Sequence, residues 1–330
     1  MATYYVNPTS GNDTTGDGTS GTPWLTVNKA NTESTNADII VIQAGTHTMT
    51  STTIGYFTEA RTYRGELTIY NTLATILDCN GSDIAGTDIG ADSININLEY
   101  LEFKNINTTD LTLISANSTF QIEFDNTNLT FTRCKFDNVA LGASGSTNNA
   151  GWWGFLFGTS FLTGGYLSGS IVLFDRCEFS RFGNISGATA GTGGIVGLYN
   201  SDTADIQFNK CVLDVTDGGH GGGQIPQMFG ARDFGNLGND ITITMRNCIT
   251  YQSSGTMLLA RHKAAFGGNI FIVDADYADN IFFGTYTLDA DATYTLDDVT
   301  TTDPQFVSAA NQNYNVRPDI TNVINAGVDV

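Results

Sequence analysis

A chain of 330 residues with 34 acidic and 14 basic side chains carries a formal net charge of −20. A surface so acidic repels nucleic acid and anionic membranes, and both are set aside as partners. A hydrophobic share of 41% is enough for a core, the 37 glycines suit a turn-rich β protein, and no apolar run reaches the ~18 residues of a membrane-spanning helix.

The N-terminal MATYYVNP lacks the basic start and apolar stretch of a signal peptide. A short strand at Tyr4–Val6 leads into a loop rich in Gly, Asn, Asp and Thr. The loop ends in Pro23-Trp24 and a short amphipathic turn through Val27 and Ala30. In this loop Asn12, Asp13 and Asp17 are candidate oxygen ligands for calcium. Their spacing misses the EF-hand pattern, and the same residue types also simply make turns. A buried strand Ile39–Ile42 and a turn at Gly45 follow, and residues 65–79 supply two further strands.

From there the chain repeats itself. Residues 129–137 read LTFTRCKFD, 172–180 VLFDRCEFS, 206–214 IQFNKCVLD and 243–251 ITMRNCITY. Two further copies carry Leu101 and Ile281 where the others have cysteine. Each copy has two apolar residues two apart, a polar bend such as Thr132-Arg133, then two more apolar residues two apart. Alternation of period two is a half-buried strand. The polar pair lets the chain turn a corner and keep its apolar side chains pointing inward. The anchors 101, 134, 177, 211, 248 and 281 are spaced by 33, 43, 34, 37 and 33 residues. Repeats of that length built from short strands read as coils of a parallel β-solenoid, each burying its inner face against its neighbours.

Of five cysteines, Cys79, Cys134, Cys177, Cys211 and Cys248, four share one repeat position. An odd total, with four of the five at one repeat position, argues against a disulfide framework. Stacked about 4.8 Å apart, the four predict an inward column of reduced thiols, and no CxxC or Cys/His spacing suggests a metal site. A second strand is expected in each coil, at Leu111–Ser115, Phe155–Phe157, Ile195–Tyr199, Met228–Phe229 and Met257–Leu259. Loops such as 141–154 and 183–194 account for the uneven spacing. Residues 285–302 alternate Tyr286, Leu288, Tyr294 and Leu296 among polar residues, and read as a hairpin or arm leaving the coils. Residues 303–330 are expected to cover the open end, where bare strand edges would invite pairing.

The opening pieces Tyr4-Tyr5-Val6, Gly11-Asn12-Asp13, Asp17-Gly18-Thr19, Pro23-Trp24 and Ile40–Thr46 followed by His47, with the closing DPQFV, NYNVRPD and VINAG of residues 303–327, carry a resemblance. Both ends resemble right-handed parallel β-helix proteins of the pectate-lyase-like superfamily. The resemblance implies an all-β fold: a single right-handed parallel β-helix, with residues 1–50 as N-terminal strand, loop and cap, 51–284 as coils, and 285–330 as polar arm and C-terminal cap. It leaves function open, because that superfamily holds polysaccharide lyases, hydrolases, epimerases, phage tailspikes and non-enzymatic virion proteins.

The three histidines stand outside any GxSxG, HExxH or phosphate-loop motif. A hydrolase would need two carboxyls flanking a glycosidic bond. Asp137, Glu178 and Asp214 lie near one another by repeat position, as do Asp175 and Glu99 in the bends, but on so acidic a chain such residues mostly solvate the surface. A basic cluster is more informative. Arg232-Asp233 and Arg261-His262-Lys263 follow strands expected on adjacent coils. They could bind a sugar acid, remove a C5 proton in a β-elimination, form an ion-pair ladder or contact another chain. The superfamily's lyases pair a Lys or Arg base with an acidic calcium cluster, and no such cluster accompanies Arg232 or Lys263. Trp152-Trp153 could stack on a sugar ring or pack a loop or interface.

The expectation is therefore a surface-exposed structural β-helix, displayed on a phage virion as a decoration, fibre or spike, contacting polysaccharide or neighbouring subunits, with homo-oligomers open. No cofactor is expected beyond the calcium alternative. The alternative function is an extracellular polysaccharide lyase or glycoside hydrolase acting on an acidic polysaccharide.

Overall fold

The computed structural model describes residues 1–49, 60–78, 88–89, 95–108, 118–122, 128–141, 153–157, 169, 171–184, 194–199, 205–214, 227–232, 241–262, 270–274, 280–287, 292–295, 306–308 and 313–316. Strand β1 (Thr3–Val6) is followed by α1 (Val27–Glu33), β2 (Ile39–Ile42) and β3 (Gly45–Thr48). The next coil holds β4 (Thr62–Gly65), β5 (Thr75–Asp78) and β6 (Asp88–Ile89). Three coils of one pattern follow: β7 (Asn95–Glu99), β8 (Leu101–Thr108) and β9 (Ser118–Ile122); β10 (Asn128–Thr132), β11 (Lys135–Leu141) and β12 (Trp153–Phe157); β13 (Ile171–Asp175), β14 (Glu178–Asn184) and β15 (Gly194–Tyr199). Then come β16 (Asp205–Asn209), β17 (Val212–Asp214) and β18 (Gln227–Arg232), and β19 (Ile241–Arg246) with the long β20 (Ile249–His262). The described chain closes with β21 (Ile270–Asp274), β22 (Ile281–Thr287), β23 (Ala292–Thr295), β24 (Phe306–Ser308) and β25 (Asn313–Val316).

Every pairing among β1–β23 is parallel. The first face runs β1-β2-β4-β7-β10-β13-β16-β19-β21-β23. The second runs β3-β5-β8-β11-β14-β17-β20, and the third, β6-β9-β12-β15-β18, joins it through β20, which spans the corner. Each strand thus pairs with the strand one coil away. That is a parallel β-helix with three faces, its crossovers taking the right-handed sense of parallel β connections.

The repeat explains the packing. Phe131, Phe174 and Phe208 stack at 5.0 and 4.9 Å on the first face. Phe103, Phe136 and Phe179 stack at 5.2 and 5.1 Å on the second. Between the two files the rings meet edge to face, the arrangement that aromatic quadrupoles favour. Cys134, Cys177, Cys211 and Cys248 are buried and unbridged, as the repeat predicts. Each thiol donates to a carbonyl of the preceding coil: Leu98, Phe131, Phe174 and Phe208 in turn. Burial pushes the Cys177 and Cys248 thiols well above the ordinary range, so they behave as small hydrophobes.

The polar bend has a specific geometry. Tyr100, Arg133, Arg176, Lys210 and Asn247 all have positive φ, between 51 and 59°. This left-handed residue reverses the alternation, so the residue before it and the residue after it both leave the corner correctly aimed. Its N–H still finds a partner one coil on, as in Arg133 N–H to Asp175 O and Arg176 N–H to Asn209 O. A buried Asn280 ends the thiol column. Its amide donates to Met245 O, the carbonyl that a further thiol would have used, and its Oδ1 accepts from Cys248 N–H.

At the N-terminus Thr26 caps α1 by accepting from Lys29 N–H, and Val27 and Ala30 turn inward. Buried Arg61 closes the other end, donating to the carbonyls of Asn31, Ser34 and Thr35. Gly18, at φ +78°, lies where a Cβ would strike the Trp24 indole at 2.8 Å, so the loop closes on Trp24 only with glycine there. The stretch 285–302 requires a correction. Where described it does not leave the coils: β22 pairs in parallel with β20 and β23 with β21. Alternating tyrosines signal a half-buried strand equally well in a coil and in a hairpin. The expected strand Leu111–Ser115 lies outside the described residues, and β9 is the strand that pairs in its coil. In the C-terminal segment β24 and β25 pair antiparallel, in a sheet of their own.

Candidate functional site

On the second face the inward positions are the anchor and the residue two after it, so the residues one and three after it point outward. The first outward file reads Glu102, Lys135, Glu178, then Val212 and Ile249. The second reads Asp78, Lys104, Asp137 and Ser180, continuing to Asp214 one residue on from the Phe179–Leu213 pair. The result is a polar strip on three successive rungs, with charges of alternating sign along the first file.

Its contacts are tight. Lys135 Nζ lies 2.6 Å from Glu178 Oε1. Ser180 Oγ donates to Asp137 Oδ1 at 3.0 Å, and Asn105 Nδ2 donates to Asp78 Oδ1 at 3.0 Å. Asp137 and Ser180 are 1% and 0% exposed although they face outward. Burial pushes the Glu178 carboxyl up, Lys135 opposes the rise, and Asp137 and Glu102 add to it. A half-buried carboxyl raised by burial beside a specific cation makes this strip the candidate site, a pattern that structural ion pairs share.

The three carboxylates singled out by repeat position are thus brought together. Asp137 and Asp214 share a file with Ser180 between them, and Glu178 is level with Lys135 in the other. Glu99 and Asp175 share an outward file of the first face, separated by Thr132. They are engaged there: Glu99 by Arg64 at 2.6 Å, and Asp175 by Arg176 at 2.7 Å and Asn209 at 2.6 Å. Lys135, Lys104, Glu102 and Ser180 were not anticipated. The signal was present: once the cysteine is fixed as inward, the residues one and three beyond it must line the outer face.

For the basic cluster the structure gives backbone register. β18 and β20 are neighbours, as expected of adjacent coils, but Arg261 is level with Gly230 and His262 with Ala231. Arg232 is level with Tyr199 on its other side. Asp233, Lys263 and Trp152 lie outside the described residues, and Trp153 begins β12. The N-terminal oxygens serve the loop itself. Asn12 accepts from the N–H of Thr14 and Thr15, and Asp13 from Leu25 N–H, Thr26 N–H and the Thr26 hydroxyl. Hydrogen bonds from Thr22 and Thr19 hold the Asp17 carboxyl below its usual range. No group of three or more His, Cys, Asp or Glu side chains placed to hold a metal occurs among the described residues.

No protein-family model and no curated protein matches the sequence. Among solved structures the chain is similar to a rhamnogalacturonan lyase, at 13% identity and a TM-score of 0.48, over 96% of this chain and 94% of that one. It is also similar to a GH136 lacto-N-biosidase from Eubacterium ramulus, at 9% identity and a TM-score of 0.40, over 91% and 68% of the two chains. A third likeness is to pectate lyase Pel9A, at 12% identity and a TM-score of 0.36, over 97% and 90%. At such identities the likeness is one of fold, and the parallel β-helix stands on this chain's own strand register.

Proposed function

We propose that this chain is a structural β-helix that holds a polysaccharide against the outer face of its second sheet without cleaving it, displayed on a virion surface. The observation that supports this reading is the part-exposed set Glu102, Lys104, Lys135 and Glu178 on three successive rungs, with Asp137 and Ser180 buried beside it. It offers donors and acceptors on successive rungs about 4.8 Å apart, close to the advance of one sugar along an extended glycan. Sugar hydroxyls need both kinds of partner. Lys135 is level with Glu102 on one side and Glu178 on the other, so a donor stands between two acceptors along the file. The test is affinity electrophoresis on a panel of neutral and acidic polysaccharides, with reducing ends and unsaturated-product absorbance measured in parallel. Retardation without turnover is expected, and absence of retardation on every polymer refutes the reading. Recovery of the chain from purified particles tests the virion setting separately.

One observation favours a second reading, cleavage. Glu178, raised by burial, could act as a general acid. Asp137 lies one rung and two residues away, with a backbone spacing of about 8 Å by strand geometry, and its buried carboxyl accepts from Ser180; an inverting glycosidase needs a second carboxyl at that order of separation. Turnover lost in both Glu178→Gln and Asp137→Asn would establish that reading instead.

A further inference from the structure

Between β4 and β5 the chain makes a turn that folding alone does not explain. Thr68 and Asn71 close it, with Asn71 N–H donating to Thr68 O at 2.9 Å, and the two central residues are Ile69 and Tyr70. They are 92% and 82% exposed; among the described large apolar residues the terminal Met1 matches them at 90%, while Leu25 and Ile171 stand at 39% and 42%. Turn chemistry favours Gly, Asn, Asp, Ser or Pro at such positions.

The turn is also held rigid. Thr68 N–H donates to Thr72 O at 2.8 Å, the Thr68 and Thr72 hydroxyls lie 2.6 Å apart, and Ala74 N–H donates to Glu66 O at 2.9 Å. From two coils further on, Arg133 reaches back and donates to Asn71 Oδ1 and to Asn71 O at 3.1 and 3.0 Å. The same guanidinium lies 5.7 Å from the centre of the Tyr100 ring. The tip is therefore tied to the corner at Arg133, whose row of left-handed residues continues through Arg176 and Lys210 on the next coils. A fixed apolar pair presented at a tip is the form of an interface anchor, because little side-chain and loop freedom is left to lose on binding.

We infer that this tip and the cationic corner beside it dock onto a second copy of this chain. Two side chains cannot cover the ~800 Å² per partner of a stable interface, so the partner must extend along the corner over Arg133, Arg176 and Lys210. Three basic side chains follow one another along that row, Arg176 beside Asp175, on a chain of net charge −20, and another copy of so acidic a chain is complementary to it. A twofold pairing of the rows would set cation against cation. The contact therefore joins the tip of one copy to a different, acidic face of the next, a heterologous interface that closes into a ring or propagates.

Light scattering coupled to size exclusion over a concentration series tests this. Wild type is expected at multiples of the 35.3 kDa chain mass, and Ile69→Ser with Tyr70→Ser is expected to return it to the single-chain mass with an unchanged thermal melt. Ile171→Ser, an exposed apolar change elsewhere, should leave the wild-type mass. A wild type that stays at single-chain mass at every concentration overturns the inference. So does a double variant that keeps the wild-type mass, or an Ile171→Ser variant that loses it.

Discussion

The corner residue is where this fold stores strain. Arg133, Arg176 and Lys210 hold a conformation that costs an L-residue with a Cβ roughly 1–2 kcal/mol, and they hold it because the coil cannot turn otherwise. Replacement at Arg176 should therefore follow backbone freedom and not charge. Its pair with Asp175 is on the surface and contributes at most about 1 kcal/mol. Arg176→Gly should match or exceed wild-type stability, whereas β-branched Arg176→Ile should cost about 1 kcal/mol or more, both read from denaturant midpoints. Equal losses in the two variants would mean that the side chain, not the backbone, matters.

Glu178 makes a second residue-scale prediction with an unusual sign. Its folded pKa lies above the unfolded value, mainly through burial. Its contribution to stability is then fully present below the unfolded pKa and is lost as pH rises through the folded one. Melting of wild type and Glu178→Gln across the acid range should show wild type losing ground against the variant as pH rises from the ordinary glutamate value. The opposite trend would mean that the Lys135 pair outweighs burial.

At the scale of the element, the thiol file needs an end. Asn280 supplies both a donor for Met245 O and an acceptor for Cys248 N–H. Asn280→Ala leaves two buried backbone groups without those bonds, and a loss of about 1–3 kcal/mol is expected from chemical unfolding. The sequence marked Ile281 as the sixth anchor and was silent on Asn280, because a hydrogen-bonding substitute one position away breaks no hydrophobic pattern. The strands themselves were legible. LTFTRCKFD and its copies state which side chains point inward, and the thiol column and paired phenylalanine files follow. The 285–302 stretch was misread because alternation reports a strand and not its partner. Which residues would line the outer face could have been read from the same repeat, since outward means one and three beyond the cysteine. What could not be read is burial on that face, as with Asp137 and Ser180, because it depends on what folds over them.

On the scale of the whole molecule, a solenoid translates one coil into a surface with a regular pitch, so a site on it takes the form of files of side chains drawn from successive coils. The folded chain gathers Glu102, Lys104, Lys135 and Glu178 from three rungs, with Asp137 and Ser180 buried beside them. The claim that this strip holds a glycan is tested most directly by lysine footprinting. Acetylation rates of all lysines are followed by mass spectrometry with and without a polysaccharide that retards the chain. Lys104 and Lys135 should be protected together and Lys29, at the N-terminal helix, left unchanged. Protection confined to other lysines, with Lys104 and Lys135 reacting at their free rates, would contradict the account.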